Sequence, residues 1–391
     1  MQLFVYFCSK IVTNLKQFGI FMLLCLFLGC HQGQQEKIST PWGDVIGEEA
    51  DTTSFDLDDI ERSGELIALT LSGPETHYDY HGRQLGAHTM LCQLWADHLG
   101  VRLRMEVCRD TAELLSRLHT GEADVIAFPM KQDSVGPGWV VDSTKTMLTT
   151  SLKEWYQPNM LAEVRQEEQR LLKGGGVKRR GYAPMLNRRG GIISRYDALF
   201  QKYSRSIGWD WRLMAAQCYQ ESTFDPMAHS WAGAKGLMQI MPSTADHLGL
   251  DRTDMHHPEK NIAAAARYIK ELENSFSDIG NRHERQDFIL AAYNGGYHHI
   301  RDAMALAQRD GKNPYRWSDV SYYVLHLSEP QYYQDPIVKN GYMRGSETYD
   351  YVQSIRKRWQ QYRGVKGAVS GMHQKSQNER HRKKFQLQPN D

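Results

Sequence analysis

A glycine- and cation-rich run, Lys173-Gly-Gly-Gly-Val-Lys-Arg-Arg-Gly181 with a second cluster at Arg188-Arg-Gly-Gly191, divides this chain into two unlike halves. Glycine has the most backbone freedom to lose on folding, and clustered like charges keep a segment in water, so residues 165–191 read as a basic linker that opens with a charged helical stretch. Ahead of it, short apolar runs alternate with amphipathic stretches. Beyond it, from Ile192, nearly every apolar position repeats with helical spacing. A single core cannot be threaded through such a break. The 391 residues therefore predict an α+β multidomain protein: one α/β lobe, then an all-helical domain.

The first half predicts its elements in order. Leu66–Leu71 is a buried-strand run, and a helical stretch from Gln84 to Leu99 carries Met90, Leu91, Leu94, Trp95 and Leu99. Val101–Val107 alternates as a strand, Thr111–His119 is an amphipathic helix, and Ala123–Phe128 is a third strand. Strands alternating with helices imply a parallel sheet over residues 62–164. The order, with the phrases HLGVRLRMEV and LHTGEADVIAF, resembles the first lobe of a periplasmic solute-binding domain. In that family a second lobe follows the strand that ends near Phe128. Here only Pro129–Gly138 intervenes before Trp139–Asp142, the expected returning strand, and Met147–Glu163, interrupted at Pro158, completes the lobe. Two-lobed modules hold ligand by closing upon it. A lone lobe has no clamp, so it reads as a scaffold or regulatory surface for an unidentified ligand or protein partner, with retained small-ligand binding as the alternative.

The amino terminus has the features of an export signal. Lys10 and Lys16 precede Phe18–Gly29, an apolar run too short to span a bilayer comfortably and of the length of a signal-peptide core. It closes in Leu26-Phe-Leu-Gly-Cys30, which resembles a bacterial lipobox except at Phe27, where an aliphatic residue is usual. Residues 1–29 are thus an expected signal peptide and Cys30 an expected lipidation site, several acyl chains anchoring the chain at the periplasmic face of the outer membrane. A plainly secreted terminus is the alternative. Residues 30–61 are polar and acidic, an expected tether, and residues 364–391 are polar and basic, an expected disordered tail. With the leader gone, Cys92, Cys108 and Cys218 remain. Cys92 and Cys108 read equally as a disulfide or as buried thiols, and Cys218 as a core residue. A net charge of +1 gives no sign of a nucleic-acid partner.

Chemistry concentrates around Glu221. Met214, Cys218 and Glu221 are four and three residues apart and share one helix face with Trp211. Burial of that face would disfavour the charged carboxylate and raise its pKa. A carboxyl kept protonated near neutrality is what general-acid cleavage of a glycosidic bond requires. The plain alternative is a glutamate at a helix end turned out to solvent. A second carboxylate, as most glycosidases use, is not found nearby. Asp225 reads as a turn-fixing residue, Glu259 as serving a helix N-terminus, and Glu347 is the best remaining candidate.

The surrounding motifs carry a resemblance. Glu221-Ser222, Ser230, Gly233-Ala-Lys-Gly236-Leu-Met-Gln239-Ile-Met241-Pro242, then Ala291-Ala-Tyr-Asn-Gly-Gly296, and finally Glu347-Thr348 with Tyr351-Val352 resemble, in order, the goose-type lysozyme-like domain of the soluble lytic transglycosylase family. The flanking ISRYDALFQKYSRSIGWDWRL and YMRGSETYDYVQSIRKRW are similar to its membrane-bound branch. The resemblance implies a lysozyme-like domain over residues 192–363 that acts on peptidoglycan glycan strands without a cofactor or metal. It implies that Glu221 protonates the oxygen linking N-acetylmuramic acid to N-acetylglucosamine. Glu221 would then take the proton of the muramyl 6-hydroxyl as that oxygen attacks C1, leaving a 1,6-anhydromuramyl end. Ser230 would bond near the N-acetyl group, and Gln239 and Met241 would line the groove, Met241 reading equally as a core residue. Tyr293 and Asn294 would close the site, the tyrosine hydroxyl near the reacting oxygens, and Glu347 would contact substrate. His256-His257 and His298-His299 read as exposed loop histidines, since adjacent side chains diverge and no third ligand is spaced to join them. A water-adding muramidase and a non-catalytic wall-binding or sensory lipoprotein are the competing readings.

Overall fold

The computed structural model describes residues 56–174, 177–187 and 191–363. The expected signal peptide, Cys30, the tether as far as residue 55 and the tail from 364 lie outside these residues.

The α/β lobe begins earlier than the sequence suggested. Asp56 and Asp59 form a reciprocal cap on α1 (Leu57–Ser63), and Gly64 ends it in a left-handed conformation. The Asp56 carboxylate also accepts from the amides of Met147 and Leu148, at 2.9 Å each. Residues 56–61, expected to be tether, are thus built into the lobe because one aspartate serves two helix starts. There follow β1 (Glu65–Leu71), β2 (Tyr78–Tyr80), β3 (Arg83–Leu85), α2 (Ala87–Leu99), β4 (Arg102–Cys108), α3 (Thr111–His119), β5 (Val125–Ile126), β6 (Val140–Val141), α4 (Thr146–Trp155) and α5 (Met160–Gly174).

The main sheet has the order β4-β1-β5-β6. β1 runs parallel to β4 and β5, but β6 pairs antiparallel with β5. The sheet is therefore mixed, not wholly parallel as expected. The Pro129–Gly138 connection is too short for a helical crossover, so the chain simply doubles back. β1 is covered on both faces. Leu66 and Ala68 pack with Trp95, Trp139, Leu148 and Leu152, while Leu69 packs with Leu114, Leu118 and Ile126. Cys92 belongs to the first cluster and Cys108 to the second, both free, which settles the open question between disulfide and thiols.

One element was misread. Gln84 and Leu85, assigned to the start of a helix, belong to β3, the second strand of a small hairpin with β2. Residues 165–174, the charged helical opening of the expected linker, continue α5. They stay helical because Val164 and Glu168 are buried, Glu168 accepting from the Tyr78 hydroxyl at 2.9 Å and the Gly86 amide at 3.0 Å.

The helical domain comprises α6 (Asp197–Ile207), α7 (Trp211–Ser222), α8 (Pro242–His247), a 3-10 turn at Arg252–Asp254, α9 (Pro258–Ser275), α10 (Arg282–Gly295), α11 (Tyr297–Arg309), α12 (Trp317–His326), the short α13 (Pro330–Tyr333) and α14 (Gly345–Tyr362). α7 is the central rod. Leu213 to Cys218 are all buried, and the helix packs between α6 and α14, which itself lies against α10 and α12. The predicted stripe Ile262, Ala265, Ala266, Ile269, Leu272 and Phe276 faces this core. Each full-sized side chain withdrawn from water contributes roughly 1.5–3 kcal/mol, which fixes α7 firmly where its last turn meets the cleft. No described helix is long and apolar enough to cross a membrane.

The lobe's hairpin lies against the helical domain. Tyr78 packs edge-on to Tyr342 with ring centroids 5.1 Å apart, and Ser72 Oγ accepts from the Tyr342 amide at 2.8 Å. This contact brings residues of both units to one cavity.

Candidate active site

Glu221 occupies the last turn of α7, and the chain leaves the helix abruptly. Thr223 and Phe224 both adopt positive φ (52° and 64°), a conformation that disfavours residues bearing a Cβ and persists only where surroundings impose it. The imposing group is Asp225, which is buried and accepts from the amides of Met227 (3.0 Å) and Arg180 (2.7 Å). Its predicted role as a turn-fixing residue is what the geometry gives.

Glu221 is half-buried, and its carboxyl opens on a cavity of about 560 Å³. Its Oε1 accepts from the Tyr351 hydroxyl at 2.5 Å, and that hydroxyl in turn accepts from Gln217 Nε2 at 3.2 Å. Burial pushes the Glu221 pKa up to about 7, against the smaller lowering effects of the Tyr351 bond and the positive charge of Arg179. Near neutrality this group is therefore present in both protonation states.

All the residues singled out from the sequence, Ser230, Gln239, Met241, Tyr293, Asn294 and Glu347, line the same cavity as Glu221. Their side chains are less free than expected. Ser230 Oγ accepts from the Ala234 amide at 3.0 Å, closing the small-residue loop. The Gln239 amide nitrogen donates to the carbonyls of Ala228 (3.2 Å) and Gly236 (2.9 Å), holding the loop together while its Oε1 is buried without a hydrogen-bond partner. Gly236 has φ +82°, and an added Cβ would meet the Met255 carbonyl oxygen at 2.3 Å, so no larger residue fits there. Met241 is half-buried, and the hairpin tip approaches it, a Cβ on Gly82 falling 3.3 Å from its Cε. Asn294 Oδ1 accepts from Thr348 Oγ1 at 2.7 Å.

The Tyr293 hydroxyl donates to the Met238 carbonyl at 2.8 Å, and the hydrogen bond to Glu221 comes from Tyr351. One expectation requires correction. The histidines are not all exposed loop residues: His299 is buried on α11, and His257 caps α9, its Nδ1 accepting from the Lys260 amide at 3.4 Å. A regular helix places one of two adjacent residues inward, which the loop reading overlooked.

Glu347 lines the cavity from the first turn of α14. It accepts from Tyr80 Oη at 2.9 Å and is paired with Arg344 through Nε (2.9 Å) and Nη2 (2.8 Å). Burial alone would raise its pKa, but the nearby His81 ring, the Tyr80 hydrogen bond and the Arg344 charge together hold it down at about 2. Tyr80 also stacks on Trp231 at 6.0 Å, and Arg83 Nε donates to the Ala232 carbonyl at 3.2 Å. The hairpin thus touches both α14 and the loop that carries Trp231 and Ala232.

Sequence reasoning assigned no role to Tyr351, Arg179, Asn261 or the hairpin. Tyr351 was visible as part of a motif. Asn261, fully buried, binds the Met238 amide (2.8 Å) and the Lys235 (3.0 Å) and Met255 (2.8 Å) carbonyls, and nothing in its neighbours along the chain announces that.

Residues 198–315 match the family model of the transglycosylase SLT domain. Over 168 residues it is 44% identical to the membrane-bound lytic murein transglycosylase F of Citrobacter koseri, covering 43% of this chain and 31% of that one. The chain thus spans about a third of that relative's length. With the membrane-bound lytic murein transglycosylase F of an Enterobacter species the identity is 28% over 415 aligned positions, covering 76% of this chain and 79% of the relative. Among solved structures, the 70 kDa soluble lytic transglycosylase of Escherichia coli is 26% identical over 43% of this chain and 24% of that one, with a TM-score of 0.30. Tyr351, Glu347 and Arg179 lie outside the span matched to the SLT domain, so the cavity is finished by chain on either side of it.

Proposed function

We propose that this protein is a peptidoglycan lytic transglycosylase, cleaving the β-1,4 bond between N-acetylmuramic acid and N-acetylglucosamine without adding water. The observation that carries the reading is the half-buried Glu221 carboxyl, raised to about 7 and open to the cavity. Its protonated form donates to the glycosidic oxygen as the C1–O bond breaks. The resulting carboxylate accepts the proton of the muramyl 6-hydroxyl while that oxygen bonds to C1. Every proton is accounted for, and the products are a free 4-hydroxyl and a 1,6-anhydro ring. An internal hydroxyl has a high effective concentration and needs no second carboxylate to activate water. Glu347 suits this division of labour, since it is ionised and held by Arg344 and the hairpin.

The remaining assignments follow the same reading. Ser230, Gln239, Met241, Tyr293 and Asn294 shape the groove for the sugars, and Glu347 supports one wall. Residues 1–29 serve as a lipoprotein signal, and acylated Cys30 anchors the protein to the outer membrane, facing the periplasm and its peptidoglycan. The lobe that ends in α5 serves as a scaffold or regulatory surface beside the helical domain, its hairpin lining the same cavity as Glu221.

The test is digestion of purified sacculi by the full chain and by Glu221→Gln. The reading expects anhydromuramyl products from the first and a loss of at least about 10³-fold in the second. No digestion by either protein would leave the non-catalytic, wall-binding reading in place, and equal digestion by both would remove Glu221 from the chemistry.

A further inference from the structure

The segment that follows α5 is stitched to the turn beyond Glu221. Lys178 and His229 exchange two backbone hydrogen bonds, at 2.8 and 3.1 Å. The Arg180 amide donates to Asp225 Oδ2, and Thr223 Oγ1 donates to the Arg180 carbonyl at 3.0 Å. Val177 lines the cavity itself. Between these ties, Arg179 Nη1 donates to the carbonyls of both Gln220 and Glu221, at 3.0 Å each.

Those two carbonyls belong to the last turn of α7, beyond which Thr223 and Phe224 turn away at positive φ and no continuing helix satisfies them. A helix C-terminus also carries partial negative charge, which opposes a carboxylate at the same end. A guanidinium bonded to both carbonyls fixes the turn and offsets that charge. We infer that Arg179 is a positioning residue for Glu221, so that the segment between the two lobes completes a site the matched domain leaves unfinished. The inference rests on Glu221 as the proton donor. The other groups that face Glu221 are Tyr351 on α14, Tyr293 on α10 and Cys218 one turn back on α7. Burial raises the pKa of each, keeping all three neutral near pH 7. Among these four groups only Arg179 is charged. Its exposure to solvent keeps the purely electrostatic share modest.

The experiment compares full-length protein with Arg179→Ala and Arg179→Lys, using Glu221→Gln to assign the resonance. One readout is the Glu221 titration followed by ¹³C-glutamate NMR, and the other is the pH profile of anhydromuramyl release from soluble glycan strands. Arg179→Ala should raise the Glu221 midpoint by on the order of half a pH unit and carry the alkaline limb of activity with it. It should lower kcat about three- to tenfold with KM within about twofold. Arg179→Lys should keep the wild-type midpoint and regain most of kcat. A Glu221 midpoint unmoved in Arg179→Ala overturns the inference, as does an activity loss that merely tracks loss of folded protein. If the wild-type chain releases no anhydromuramyl product, the proposed function fails, while the NMR comparison still decides whether Arg179 acts on Glu221.

Discussion

Burial and Tyr351 act on Glu221 in opposite directions, and burial wins. Removing the Tyr351 hydroxyl removes a bond that favours the carboxylate, so Tyr351→Phe should raise the Glu221 pKa above about 7 and shift the alkaline limb of activity upward. It should also reduce kcat by about tenfold, because the carboxyl loses the contact that orients it. A pH profile with an unmoved limb would show that Tyr351 does not touch the titrating group. At this scale the sequence revealed the acid and concealed its partners. The Met214, Cys218, Glu221 spacing is local and readable, whereas Tyr351 meets Glu221 only because α14 packs on α7. Arg179 was read as solvated linker because a cation among glycines has no pattern that betrays a tertiary role.

Elements meet closely where side chains are absent. Gly345 opens α14 against the end of α12, and a Cβ there would fall 1.6 Å from the Val324 carbonyl oxygen. Gly345→Ala should therefore cost about 2–4 kcal/mol, read as a fall in the melting temperature. An unchanged melting temperature would mean that the two helices can part without loss. The hairpin was missed because strands of three residues give too little alternation to outweigh the helix that follows Leu85. Its tie to Glu347 makes a separate prediction. A carboxyl whose pKa is depressed in the folded state stabilises it above the unfolded value, near 4.3, and that contribution is lost as pH falls toward about 2. Hydrogen-exchange protection of β2 and β3, corrected for intrinsic rates, should thus hold from pH 5 to 8 and weaken below about pH 4. Glu347→Gln should loosen the hairpin by about 1 kcal/mol at neutral pH. Full protection in that variant would assign the docking to the hairpin's contacts with Tyr342, Trp231 and Ala232.

Across the molecule, the two-domain division was legible from hydrophobic period, and each lobe has its own core. The extent of the linker was not, because α5 is held by buried Val164 and Glu168 while Val177–Asn187 lies on the helical domain. Separate cores predict separate unfolding. Leu69→Ala, at a fully buried position of β1, should cost about 2–5 kcal/mol and lower only the lobe's calorimetric transition. A uniform shift of a single transition would show that the lobes melt as one. The central chemical claim is that a single half-buried carboxyl cleaves a glycan by internal attack. Its most direct test is digestion of sacculi in H₂¹⁸O with mass analysis of the muramyl ends. The account predicts anhydromuramyl ends that carry no ¹⁸O, and none at all with Glu221→Gln. Reducing muramyl ends bearing one ¹⁸O atom would contradict it.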